Sequence, residues 1–207
     1  NLPSYYTTKH DDFGDYIGNS PENIANAEAA RTTFLNNKQV NWDAIYDANV
    51  NNGGESTTIL YEDRTDDKLF TANSVLTSQI SENVILNAGA TYRKLKSENY
   101  QKVIDLLGGE YYSDVDQFFV GDQSQPNLLS PNRQVVEGDR YGYNYILHAN
   151  VVQAFTQFKF SYNKFDFYLA QSFSKSLYQR EGLYQNGIYP TNSLGKSAEA
   201  EFENYGF

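Results

Sequence analysis

The chain has two imidazoles, His10 and His148, and no cysteine, so the chemistry open to it is narrow. Disulfides, cysteine-based metal sites and thiol nucleophiles are excluded, and a catalytic triad or His-based metal site would have to use one of the two histidines. Neither lies in a G-x-S-x-G, H-E-x-x-H or phosphate-loop pattern. His10, followed by Asp11 and Asp12, reads as part of a solvated charge run in preference to a metal ligand. The acids Asp105, Glu110, Asp114 and Asp116 fall in one stretch, and calcium takes several carboxylates from a flexible loop. Their spacing departs from D-x-[DN]-x-[DN]-G, so calcium stays a minor alternative and no cofactor is expected. Four aromatic residues of the same stretch, Tyr111, Tyr112, Phe118 and Phe119, are the candidates for contacting a ligand. They can stack on a sugar or a siderophore, or pack the loop on itself, which is the preferred reading. A glycosidase would need a paired set of carboxylates, and none falls at an identifiable strand end, so no enzymatic activity is expected.

The element that must position these residues is a hairpin over 141–180. Tyr141, Tyr143, Tyr145, Leu147, Ala149, Val151 and Phe155 alternate with Asn144, His148, Asn150 and Thr156, a period of two that belongs to strands. On the return run Phe165, Phe167, Leu169, Phe173 and Leu177 alternate with Asp166, Ser172, Ser174 and Ser176. The polar positions are small and neutral rather than Lys and Glu, which suits a wide, water-filled or plugged lumen, while the apolar face suits lipid. The expected outward set is Tyr143, Tyr145, Leu147, Ala149, Val151, Phe167, Leu169 and Phe173, and the inward set Asn144, His148, Asn150, Ser172 and Ser174. Strands of roughly 18 residues reach about 60 Å, against about 5 or 6 residues in an ordinary strand.

Composition agrees with a barrel wall carrying polar loops. Eighteen Tyr, thirteen Phe and one Trp accompany a mean hydropathy of −0.64, and no apolar run reaches the roughly 18 residues of a helical membrane span. The net charge of −10 argues against nucleic acid as a partner. From Asn1 onward no signal-peptide core is visible, and the absence of Met makes the chain read as an excised segment.

Along the chain, 1–56 is expected to be a long loop with helices near 21–35, opened by Ser20-Pro21-Glu22, and 42–48, capped by Asn41. Strands follow over 57–80, interrupted by the charged cluster 62–68, a section standing in water, and resumed over 69–80, and then over 84–96, joined by a turn at Ser81-Glu82-Asn83. A long loop spans about 96–140, with a short helix at about 100–107 stopped by Gly108-Gly109 and seated over the barrel mouth through Val103, Leu106 and Leu107. The hairpin, a loop over 181–195 and a strand over 196–207 complete the chain. Connections therefore alternate between short and long, as in outer-membrane barrels.

The stretch YEDRTDDKLFTANSVLTSQISENVILNAGATYRKLKSENYQKVIDLLGGEYYSDVDQF, with Asn1-Leu2-Pro3-Ser4-Tyr5-Tyr6 and Asn41-Trp42-Asp43 before it, resembles the barrel region of Bacteroidetes-type TonB-dependent outer-membrane receptors. The resemblance covers nearly the whole chain but only a fraction of the family's length, without the energy-coupling box, the plug and the remaining strands. It implies part of a receptor in the cell outer membrane that imports a scarce nutrient (siderophore, glycan, peptide or vitamin) with energy transduced from the inner membrane. Its implied partners are outer-membrane lipid, the TonB complex through the missing N-terminal parts, and a surface lipoprotein. The expected fold is all-β, antiparallel up-and-down strands of a partial transmembrane β-barrel. About five strands are fewer than the 8 of the smallest closed barrel, so the edges are expected to stay open or to pair elsewhere. The alternative is a soluble carbohydrate-binding β-sandwich, which would have shorter strands.

Overall fold

The computed structural model describes residues 8, 9 and 17–207; Asn1 to Tyr6 and the run His10-Asp11-Asp12 lie outside the described residues. Contacts divide the chain into two units, 1–45 and 46–207. The first contains α1 (Pro21–Asn36), which Ser20 caps by accepting the Asn23 amide at 3.2 Å, with Pro21 in the first turn. Its larger apolar residues are not buried: Ile24, Phe34 and Leu35 are all exposed. The next helix, α2 (Trp42–Val50), starts where Asn41 Oδ1 accepts the Ala44 amide.

The second unit is an all-β antiparallel sheet with long strands. These are β1 (Leu60–Ser81), β2 (Val84–Asp105), β5 (Arg140–Tyr162) and β6 (Phe165–Gly182), where β3 (Tyr112–Ser113) and β4 (Gln134–Val135) form a separate two-stranded ribbon. Two short pieces, β7 (Gly195–Lys196) and β8 (Ala200–Gly206), both pair with β6. The order β1-β2-β5-β6-β7/β8 leaves the sheet open, with β1 at one edge and β8 at the other. The tight ends fall at Glu82-Asn83 and Asn163-Lys164, where Asn163 takes a φ of +46°, a conformation Asn tolerates.

Three expectations change. The charged cluster 62–68 does not interrupt β1, which pairs continuously from Tyr61↔Val103 to Gln79↔Ile85. The helix at about 100–107 is absent; β2 runs on to Asp105 because Tyr100, Gln101 and Lys102 continue the ladder with both β1 and β5. A turn follows, with Leu107 at φ +50° and Gly108 at φ +91°.

The third change concerns which residues share a face. Residues directly opposite in a ladder project to the same side, and β5 pairs β6 as Val151↔Ser176, Gln153↔Ser174 and Phe155↔Ser172. Thus Tyr143, Tyr145, Leu147, Ala149 and Val151 stand on one face with Ser172 and Ser174, the first face. Asn144, His148 and Asn150 stand on the second face with Phe167, Leu169 and Phe173. The expected outward and inward sets are each split between the faces. The reason is a change of apolar parity inside β5: odd positions are apolar up to Val151, and from Val152 the apolar residues are chiefly even, namely Val152, Ala154, Phe158 and Phe160.

In the half of the sheet near the tight turns, the second face is therefore apolar. Phe70, Ala72 and Leu76 of β1 adjoin Leu86, Ala88, Ala90 and Tyr92 of β2, then the β5 set, then Phe167, Leu169 and Phe173 of β6, and Tyr205 of β8. Its polar members are Ser74, Ser78, Thr156 and Gln171. The first face over the same stretch carries Asn73, Thr77, Asn87, Thr91, Gln153, Ser172, Ser174 and Asn204, interspersed with Val75, Ile85 and Phe155. The apolar band is not covered: Phe167 is 50 % and Leu169 53 % exposed. The buried cluster lies instead at the opposite end, formed by Val103, Leu106, Val135 and Tyr141, with Ile59 and Tyr112 against it. Toward that end of the second face the residues become charged, beginning with Lys94, Lys96 and Glu98 on β2.

Candidate functional site

The two long loops, 106–139 and 183–194, leave the same end of the sheet and dock on each other. Leu128 donates its amide to the Gln185 carbonyl at 2.7 Å, Gln185 returns its own amide to Asn127 Oδ1, and the Gly187 amide reaches the Gln125 carbonyl at 2.9 Å. The contact at Gly187 admits no side chain, since a Cβ there would stand 1.7 Å from the Asp122 carbonyl oxygen.

Arg133 ties this assembly to the sheet. Its guanidinium donates to Asp114 Oδ2 at 3.0 Å, to the Arg140 carbonyl and to the Tyr184 hydroxyl, and it lies 5.3 Å over the Tyr184 ring. The other carboxylate oxygen of Asp114 accepts the Gly142 amide at 2.9 Å, where β5 bulges with Gly142 at φ +65°. Asp114 is 3 % exposed. Burial pushes its carboxyl above the usual range, against the Gly142 amide and Arg133, which favour the charged form.

Between the loops and the first face opens a cleft of about 260 Å³, whose walls include Gln101, Tyr112, Asp114, Asp116, Gln123, Gln125, Tyr141, Tyr143 and Asn186. Neither Lys nor Arg lines it. Tyr141 stacks edge-on with Tyr112 at 5.7 Å and with Tyr61 at 5.8 Å, so one wall is rigid and aromatic while the rest offers amides, hydroxyls and the Asp114 and Asp116 carboxylates. Burial raises the Tyr112 hydroxyl, with Asp114 adding to the effect, so it stays a neutral donor at physiological pH. The arrangement suits a polar ligand without negative charge, held by stacking and hydrogen bonds.

The four aromatic candidates separate. Tyr112 lines the cleft and packs on the buried cluster, so it does both things considered for it. Tyr111 is half-buried and bridges Glu55 through its backbone. Phe118 and Phe119 stand away from the cleft walls, Phe118 being 95 % exposed. The acids do not converge either: among the described residues no group of three potential metal ligands occurs. Asp105 caps the Leu107 amide, Asp116 the Phe118 amide, and Asp114 serves Arg133 and Gly142. His148 lies on the second face, bonded to Glu181 at 2.8 Å, and so, contrary to expectation, does not share a face with Ser172 and Ser174. Sequence reasoning missed Gln101, Tyr141, Tyr143, Gln125 and Asn186; the available signal was the tyrosine cluster immediately after a long loop. No protein-family model, no curated protein and no solved structure matches the chain.

Proposed function

We propose that the chain is part of the wall of a TonB-dependent outer-membrane receptor that imports a scarce nutrient. The observation that carries this reading is the uncovered apolar band on the second face, backed by a polar first face and ending at the tight turns. On β5 the band runs from Val152 to Tyr162, roughly 33 Å of strand, which a tilt of about 40° reduces to roughly 25 Å of height. That equals the apolar belt of an outer-membrane barrel.

The loop-ward limit of the band supports the same reading. It falls at Phe70 on β1, Tyr92 and Val152 on β2 and β5, and Phe173 and Tyr205 on β6 and β8. Through the ladder, Phe70 aligns with Lys94, Asn150 and Leu177, and Tyr205 aligns with Phe173, four residues further down β6. Four residues are roughly 13 Å, and four strand-to-strand steps roughly 19 Å, so the limit slopes by about 35° to the row of paired residues. A membrane surface crossing tilted barrel strands would impose that slope. Aromatic side chains mark both limits, with Phe158, Phe160 and Phe167 near the turns.

In this reading the first face looks into the lumen, and the loops fold over it at the mouth with the cleft on the path of an entering ligand. The cleft lacks cations and offers amides and aromatic faces, which favours a glycan or peptide over an anionic siderophore. Completion of the barrel, a plug, the energy-transducing complex and a surface lipoprotein belong to the receptor as a whole. The soluble sandwich has less support, because strands of 18 to 23 residues far exceed the usual length and no second sheet covers the band among the described residues. Light scattering tests the reading: the protein should be monodisperse only in detergent, and a stable detergent-free monomer would overturn it.

A further inference from the structure

We infer that the second face carries, immediately loop-ward of its apolar band, a binding site for the phosphate of an anionic lipid headgroup, built on Lys68, Lys94 and Lys96. The inference rests on the membrane reading above and adds which lipid the wall selects. Lys68 stands directly opposite Lys96 in the β1–β2 ladder, and Lys94 is two residues from Lys96 on the same side. The three stems therefore start within roughly 7 Å of one another. Like charges directly opposite each other disfavour the pairing, so the arrangement calls for a counter-anion.

The neighbouring acids do not supply it in full. Glu98 bonds Lys96 at 2.8 Å and Arg140 at 3.3 Å. Glu62 and Asp66 are held by Arg64, Glu181 by His148, and Glu201 and Glu203 by Lys175. Asp67 projects to the first face. Lys68 and Lys94 are exposed and have no ion pair among the described residues. Beside Lys94 a groove of about 320 Å³ reaches His148, Asn150, Lys196 and the Glu199 carboxylate, large enough for a phosphorylated headgroup, with Glu199 facing the four cationic side chains Lys68, Lys94, Lys96 and Lys196.

Position decides between a lipid and a soluble anion. Phe70 pairs directly with Lys94, and Tyr92 follows two residues down the same face. A phosphate held by the lysines would thus send its acyl chains along Tyr92, Ala90 and Ala88, at the depth where basic residues meet headgroups. Charge-assisted bonds from three ammonium groups supply the selectivity.

The test uses the whole receptor of which the chain is proposed to be part, in phosphatidylcholine vesicles alone or with bis-phosphorylated lipid A, and native mass spectrometry of the lipid retained. The protein should retain the phosphorylated lipid over phosphatidylcholine, and excess inorganic phosphate should not displace it. Combining Lys68→Gln, Lys94→Gln and Lys96→Gln should weaken retention by roughly a hundredfold while insertion into phosphatidylcholine is unchanged. Lys164→Gln, at the tight-turn end, should change nothing. Normal insertion with equal retention by the triple variant, or displacement by inorganic phosphate, overturns the lipid site alone. Failure of the unaltered whole receptor to enter phosphatidylcholine vesicles overturns the membrane reading and the site with it.

Discussion

Phe173 stands directly opposite Ala154 in the β5–β6 ladder, while Phe155, one residue further on, stands opposite Ser172. Because side chains alternate, a slip of one residue would exchange every partner between the faces. The observed register joins Phe173 to Tyr205 on its other side, ring centres 5.1 Å apart, and so extends a single apolar band across β6 and β8. Phe155 is, with Tyr168, an aromatic residue left on the polar face, where it lies over Gly89: a Cβ on that glycine would come within 2.4 Å of its ring. The glycine opposite it makes room for the ring against the backbone.

Asp114 should be the residue whose loss most loosens the docked loops. Asp114→Ala leaves Arg133 without its carboxylate and the Gly142 amide without its acceptor, in a site where Asp114 is 3 % and Arg133 27 % exposed. Removing one partner of a buried pair costs about 3–5 kcal/mol. Hydrogen exchange at Gly142 and Leu183 should rise accordingly, with the amides of β2 near Ala88 unaffected.

Acidification should tighten the same loops. The folded-state carboxyl of Asp114 titrates above its unfolded value near 3.8, so the unfolded loop gives up its proton first as pH rises. Stability from this group is complete below the unfolded value and is lost as pH climbs through the folded one. Loop protection should therefore increase on lowering the pH through that window. Asp114→Asn should abolish the dependence, and an unchanged dependence in that variant would assign it to another group.

Gly187→Val should separate the two loops without disturbing the sheet, because the new side chain meets the Asp122 and Gln125 carbonyls. Overpacking of this kind costs about 1–3 kcal/mol. Limited proteolysis should cut 183–194 faster in the variant, while strand amides keep their protection.

The aromatic candidates should part in the same way. Phe118→Ser, at a fully exposed position, should shift stability by less than about 0.5 kcal/mol, whereas Tyr112→Ala, against the buried cluster, should cost about 3 kcal/mol. Thermal unfolding of the two variants checks this directly; equal losses would mean that Phe118 is covered in solution.

Much of this was legible in the sequence because it depends on local chemistry. Ser20 and Asn41 announce their helices through short side chains that accept from the first turn, and the Asn-containing turns mark both tight ends. Residues 103–107 were misread for a definable reason. Val103, Leu106 and Leu107 are buried at helical spacing, yet that spacing arises from a strand end followed by a turn with two positive φ angles. The faces of β5 were misjudged because two environments follow each other along one strand. Up to Val151 its odd residues lie on the side of the loops and cleft, as Tyr141 and Tyr143 do, and beyond it the even residues join the apolar band. No single period records that change. The cleft was illegible because its walls meet only through the docking of 183–194 on 106–139.

The central claim is that the second face of the sheet near the tight turns meets lipid and the first face meets water. Single cysteines placed at Ala88, Ala154 and Leu169, and separately at Asn87, Gln153 and Ser174, can be labelled in the membrane-inserted protein with a spin probe and relaxed by oxygen or by a water-soluble nickel chelate. The first three should be accessible chiefly to oxygen and the second three chiefly to the chelate. Equal accessibility of the two sets, or the reverse order, would contradict the account.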